Sequence, residues 1–151
     1  MPCTDVRSRG EALSEGFQTF DHTGDLGLEV WADTPERLYG LAAEALLAQI
    51  ALVPAAETEV RIQLSLSADD SRDLLVHWLN TVLLQAELER AVWTKALVRS
   101  LTTCSIEATL EGPFLDRSRQ ELLREVKAVS HHDLVLVLDP GRCRCRMILD
   151  I

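Results

Sequence analysis

The run Phe20-Asp21-His22-Thr23-Gly24-Asp25-Leu26-Gly27-Leu28 gathers two carboxylates, an imidazole and a hydroxyl into five consecutive residues. Apolar residues on both sides of the polar group read as strand. Along one extended segment successive side chains alternate faces, so Asp21, Thr23 and Asp25 are expected to share one side. Oxygen donors clustered in this way suit a hard cation such as calcium or magnesium. Asp, Thr and Gly are equally the residues of a turn, and the local sequence leaves both readings open. His22 stands either as an outer hydrogen-bond partner of a ligating carboxylate or as a buried, satisfied histidine.

More oxygen donors follow the apolar run Met147-Ile148-Leu149. A hard cation wants several oxygen ligands at once. Asp25 offers one carboxylate, Asp150 a second, and the α-carboxylate of Ile151 a third; the alternative is an Asp150 simply solvated at a strand end. No complete catalytic centre accompanies them. The chain has no G-x-S-x-G elbow, no Gly-rich phosphate loop and no H-E-x-x-H helix. Metal-assisted hydrolysis by the Asp/His cluster is one functional class. The others are a regulatory protein that lends its carboxylates to an enzyme and a general, chaperone-like protein-binding module.

Composition narrows the setting. A chain of 151 residues reads as one domain and buries roughly 70% of its unfolded surface, so it needs no staples. Its 47% hydrophobic and 26% charged shares are those of an ordinary globular protein. No apolar run approaches the roughly 18 residues of a membrane span. Residues 1–16 lack the apolar core of a signal peptide and are expected to form a loose tail, with a cytoplasmic location by default. A net charge of −9 and a pI near 4.8 argue against gripping nucleic acid. Arg142, Arg144 and Arg146 are the local exception, a row on one strand face that either is solvated or meets an acidic partner or RNA. Cys143 and Cys145 share the other face of that strand, about 7 Å apart, and are expected in the core rather than in a disulfide.

The elements that must position these groups are legible. Residues 17–22 and 26–31 are extended. Thr34-Pro35-Glu36 is a helix start, with Thr34 as N-cap, and the helix runs to about Ala51. Val60, Ile62, Leu64 and Leu66 alternate with polar residues as a half-buried strand. A second helix from about Asp70 to Arg90 buries Leu74, Leu75, Trp78, Leu79, Val82 and Leu83, leaving His77 on a flank. Asn80 lies off the main stripe, either exposed or bonded to a neighbouring segment. Two extended runs fill 92–110, a polar stretch fills 116–124, and runs at 126–130 and 134–138 lead to the Asp139-Pro140-Gly141 turn and a last strand. Two helices among about seven strands make an α+β fold, helices packed on one side of a largely antiparallel sheet.

Separated motifs extend the local reading. Asp21-His22-Thr23-Gly24-Asp25-Leu26-Gly27 resembles the DHTAD-V/I-G signature of the archease family. Asp73 to Asn80 resembles the family's LL-x-x-WLN helix, Glu125 to His132 its EVKA-V/I-T-Y-H strand, and Asp150-Ile151 its ending. Gly24 replaces Ala, Ser130 replaces Thr and His131 replaces Tyr, and no carboxylate is lost. The resemblance implies one archease domain over 17–151 and a metal held by Asp25, Asp150 and Ile151. Calcium is the first expectation, with magnesium or manganese as alternatives. It further implies an activator, without catalytic residues of its own, of an RtcB-type RNA ligase in tRNA splicing or RNA repair. The activator promotes GTP-dependent guanylylation of the ligase and its multiple turnover. Strong direct nucleic-acid binding and membrane attachment are not expected, and Lys127 and His132 are expected near the mouth of the metal site.

Overall fold

The computed structural model describes residues 14–54 and 57–151; residues 1–13 of the expected tail lie outside them. The first elements form a hairpin, β1 (Gly16–His22) and β2 (Asp25–Ala32). Thr34 then caps α1 (Pro35–Ala48), its hydroxyl accepting from the Arg37 N–H at 3.1 Å. Such a cap is worth about 1 kcal/mol. The helix ends before Gln49, three residues earlier than the periodicity suggests, because the chain turns into the two-residue strand β3 (Ala51–Leu52). β4 (Val60–Ser67) follows, and Asp70 caps α2 (Ser71–Glu89) by accepting from the Asp73 N–H at 2.8 Å. Arg90, at φ 53°, closes α2 in the left-handed conformation usual just past a helix end. Then come β5 (Lys95–Leu101), β6 (Ser105–Gly112), β7 (Glu121–Leu122), β8 (Ala128–Asp139) and β9 (Arg142–Asp150).

The strands divide into a four-stranded sheet in the order β1-β2-β9-β8, a three-stranded sheet β4-β6-β5 and the small pair β3-β7, all antiparallel. The fold is α+β, as expected, but the sheet is not one continuous surface. Each helix touches both larger sheets: α1 packs on β2 and β5, and α2 packs on β8 and β4. Their apolar residues therefore wrap more than half of each helix, and in α1 every residue from Leu38 to Leu47 except Glu44 is buried.

Glu44 is the polar exception with a structural task. Its carboxylate accepts from the Ala96 N–H of β5 at 3.0 Å and from the Arg37 guanidinium, which also holds Glu15 just ahead of β1. The Arg37 hydrogen bonds hold the Glu15 carboxyl below its ordinary range. Trp78, fully buried, donates its indole N–H to the Tyr39 carbonyl at 2.9 Å and so locks α2 to α1. Cys143 and Cys145 are buried in β9 as free thiols, as their spacing predicts. Burial pushes the Cys145 thiol up to about 12, so it stays protonated and inert.

Candidate functional site

The polar motif is a hairpin tip. His22 faces Asp25 across the β1–β2 register, and Thr23-Gly24 is the turn between them. Gly24 sits at φ +75°, a backbone conformation that L side chains rarely adopt. Reversal at this point overturns the expectation that Asp21, Thr23 and Asp25 share one side. Asp21 faces Leu26 instead, Thr23 is in the turn, and Asp25 shares its face with His22. In β2 the residues Leu28, Val30 and Ala32 are buried toward the helices, so by alternation Asp25 belongs to the outer face of the sheet.

The adjoining strand brings the other end of the described chain to the same place. β9 pairs with β2 through Leu26↔Leu149, which makes Asp25 and Asp150 the next facing residues at the sheet rim. Directly facing residues of antiparallel strands have Cα atoms about 4.5–5.5 Å apart. On its other flank Asp150 faces Ala128 of β8, and its carbonyl accepts from the Lys127 N–H at 2.7 Å. Ile151 follows with its side chain partly exposed. Thus the three expected site residues lie at one rim, with Lys127 bordering it.

Around His22 there is a chain of polar contacts that includes a residue the motif reading missed. Its Nδ1 lies 3.6 Å from Asp25 Oδ2 and its Nε2 lies 3.7 Å from Asp133 Oδ2. His132 Nε2 is 3.2 Å from the same Asp133 oxygen, and the His22 and His132 rings meet edge to face at 6.4 Å. These contacts attract as ion pairs only when the imidazoles are protonated. Asp133 arrives there because β8 carries three extra residues opposite β9 between Ser130 and Val135, with Asp133 itself at φ 57°. The signal was His131-His132-Asp133, which interrupts the apolar alternation between the two runs. β8 is therefore one bulged strand, not two runs.

The donors at the rim fit a hard cation by type, since Asp25 and Asp150 offer carboxylates and Ile151 a main-chain oxygen. Among the described residues no three His, Cys, Asp or Glu side chains form a metal-holding group by themselves, so main-chain oxygen or water would have to complete the shell. One detail fits an outer role for His22. Its Nδ1 is buried and has no hydrogen-bond partner, while the nearest carboxylate oxygen, that of Asp25, is just beyond bonding distance. A small movement of the Asp25 carboxylate would satisfy it.

Residues 17–151 match the model of the archease protein family. The chain belongs to that family. It is 28% identical over 138 residues to the protein archease of Methanopyrus kandleri, covering 89% of this chain and 99% of that protein. It is 29% identical over 143 residues to that of Methanothermobacter thermautotrophicus, with 91% and 99% covered. An archease-like protein of Caenorhabditis briggsae matches over the full length of both chains at 24% identity. The solution structure of Methanobacterium thermoautotrophicum protein 1598 superposes with a TM-score of 0.77 at 24% identity, covering 90% of this chain and 99% of that one.

The archease motifs now acquire physical reasons. Gly27 closes the first signature because Phe20, directly opposite on β1, lies across it; a Cβ at Gly27 would collide with the edge carbons of the Phe20 ring. Arg146 stacks on that ring, 4.0 Å from its centroid. Gly27→Ala is therefore expected to push the ring aside and destabilise the fold by about 1–2 kcal/mol. In a Phe20→Ala background the same change should cost little, and thermal melts of the four proteins in that cycle measure the coupling. An unchanged cost in that background would mean that the ring is not the reason for the glycine.

The arginine row is only partly free. Arg144 pairs with Glu29 at 3.3 Å and Arg146 covers Phe20, which leaves Arg142 as the member without an ion-pair or ring partner among the described residues. His77 is exposed on α2, as expected of a flank residue. Among the described residues no helix is long and apolar enough to cross a membrane.

Proposed function

We propose that this archease is a metal-binding accessory protein, without turnover of its own, that activates an RtcB-type RNA ligase by promoting its GTP-dependent guanylylation and multiple turnover. The observation that carries the reading is the convergence of Asp25, Asp150 and Ile151 at one rim, dictated by the β2–β9 register. Family membership gives that rim its context.

A hard divalent cation, calcium first and magnesium or manganese next, would be held by Asp25, Asp150 and a main-chain oxygen of Ile151. Once bound it would supply a concentrated positive charge at an exposed edge. The protein's own part is positional. Lys127, through its N–H, fixes the strand end that carries Asp150, and His22, with Nδ1 3.6 Å from Asp25 Oδ2, would orient that carboxylate by donating to it once the two close up. Because the rim faces outward, these groups are available to a second protein rather than enclosed around a small substrate.

The deciding assay is ligase–GMP formation from GTP with a divalent metal, with and without this chain. Substoichiometric amounts of the chain should accelerate it and sustain repeated RNA joining. No acceleration, or robust phosphodiesterase or GTPase activity from the purified chain alone, would sink the reading.

A further inference from the structure

α2 and the segment that follows β6 enclose an open apolar groove of about 940 Å³, with none of Asp25, Asp150 and Ile151 in its lining. Leu83 and Leu84 of α2 form one wall, and Leu115, Leu122 and Leu123 the other. Four of these side chains are unusually bare: Leu84 is 51% exposed, Leu115 41%, Leu122 40% and Leu123 37%. Leu88, one turn beyond Leu84 on α2 and 64% exposed, extends the apolar surface. Contiguous exposed apolar surface of this kind marks an interaction site rather than an ordinary protein exterior.

Two further features say what fits it. The first is charge. Arg117, Arg124 and Lys127 stand at the groove against Glu87 and Glu125, on a chain whose net charge is −9. Arg124 donates to the Gln49 carbonyl at 2.6 Å, and neither Arg117 nor Lys127 forms an ion pair with any described residue. The groove thus carries one more cation than carboxylate on an otherwise acidic protein, with Arg117 and Lys127 free to pair. A second copy of this chain would bring −9 toward −9, so self-association works against the overall field. The second feature is continuity. Lys127 lines the groove, and its own N–H binds the carbonyl of Asp150, so the groove runs up to the carboxylate rim.

We propose that this groove is the docking site for an amphipathic segment of the ligase, one that offers two or three aliphatic or aromatic anchors and an acidic flank. The inference rests on the activator reading above. Docking there would hold the carboxylate rim against the ligase, so that adhesion and activation use adjoining but separate surfaces. Apolar anchors in the leucine walls would provide affinity, and the acidic flank against Arg117 and Lys127 would set orientation.

The test uses the full chain and purified ligase. Leu84→Glu and Leu123→Glu place a carboxylate on two already exposed sites, and melting curves establish that both variants fold. Each should weaken ligase binding at least tenfold, measured by titration calorimetry, and lose stimulation at limiting concentration. Calcium binding by the variants alone should not change. Arg117→Glu should weaken ligase binding with a reduced dependence on salt. Asp25→Ala should do the reverse, retaining ligase binding while losing metal. If wild type binds and activates the ligase and both leucine variants do so equally well, the groove is not the docking site and the activator reading survives. If wild type neither binds nor activates the ligase, the activator reading fails and the docking proposal fails with it. A wild-type dimer in sedimentation that Leu84→Glu turns into a monomer would assign the groove to a second copy and overturn the proposal.

Discussion

Asp25→Ala is expected to return ligase guanylylation to its unstimulated rate and to lower affinity for calcium or magnesium at least about tenfold, with the fold intact. The expectation follows from place and charge together. Asp25 begins β2 at the rim, a third exposed, and faces the strand end that carries Asp150. Removing it takes away one of the two carboxylate side chains that the rim offers a cation. It also removes a negative charge from beside Asp150, so the melting temperature without metal should stay level or rise slightly. Asp21→Ala is the natural control, four residues away in the same signature. Asp21 is exposed and faces Leu26 rather than the rim, so its loss should leave metal affinity nearly untouched. Calorimetric titration of both variants separates them. Metal binding at the native level in Asp25→Ala would exclude that residue from the site.

That contrast shows where one-dimensional reading stops. The helix caps, the alternating strands and the Asp139-Pro140-Gly141 turn are local features, and those elements form within a few residues of their expected limits, whereas the short strands β3 and β7 carry no such local pattern and are not anticipated. Which side chains share a face is local only within an unbroken strand. Thr23 and Gly24 suit a turn as well as an extended run, and because the chain reverses there Asp21 lies off the face of Asp25. The division into two larger sheets was hidden for a related reason. Partner strands β4 and β6 are far apart in sequence, as are β2 and β9, and pairing across such distances leaves no periodic trace. Asp133 was missed because three extra residues in β8 look like a gap between two strands, whereas the structure shows a bulge that carries a carboxylate to His22. By contrast, the motifs alone point to Asp25, Asp150 and Ile151, residues that the β2–β9 register brings to one rim.

Asn80→Leu is expected to produce the largest loss of stability, about 2–4 kcal/mol, and to weaken metal binding although Asn80 contacts no rim carboxylate. β8 is an edge strand of the four-stranded sheet, so one side of its backbone has no neighbouring strand to bond. Asn80 stands in for that neighbour. Its Nδ2 donates to the Val129 carbonyl at 3.1 Å, and its Oδ1 accepts from the Val129 N–H at 2.9 Å. A side-chain amide thus completes both polar groups of a residue that is only 3% exposed. Leucine keeps the same branched skeleton of side-chain heavy atoms, is no smaller, and suits the helix better, so lost packing would not explain a large effect. What it would leave is a buried N–H and a buried C=O without partners, each costing about 1–3 kcal/mol. For a chain of this length that corresponds to a fall in melting temperature of roughly 4–16 °C, at about 2–4 °C per kcal/mol. Asn80→Asp should also destabilise, because a carboxylate cannot donate to the Val129 carbonyl and would face it with a like charge. The functional consequence travels a short way. Val129 lies opposite Leu149, and its neighbour Ala128 opposite Asp150, so a loosened β8 frees the strand end that presents the second carboxylate. Calcium affinity should therefore fall in Asn80→Leu at a temperature where the protein is still fully folded, with amide exchange at Val129 speeding up in parallel. Native stability and native metal affinity in that variant would show that the asparagine clasp neither secures β8 nor serves the rim.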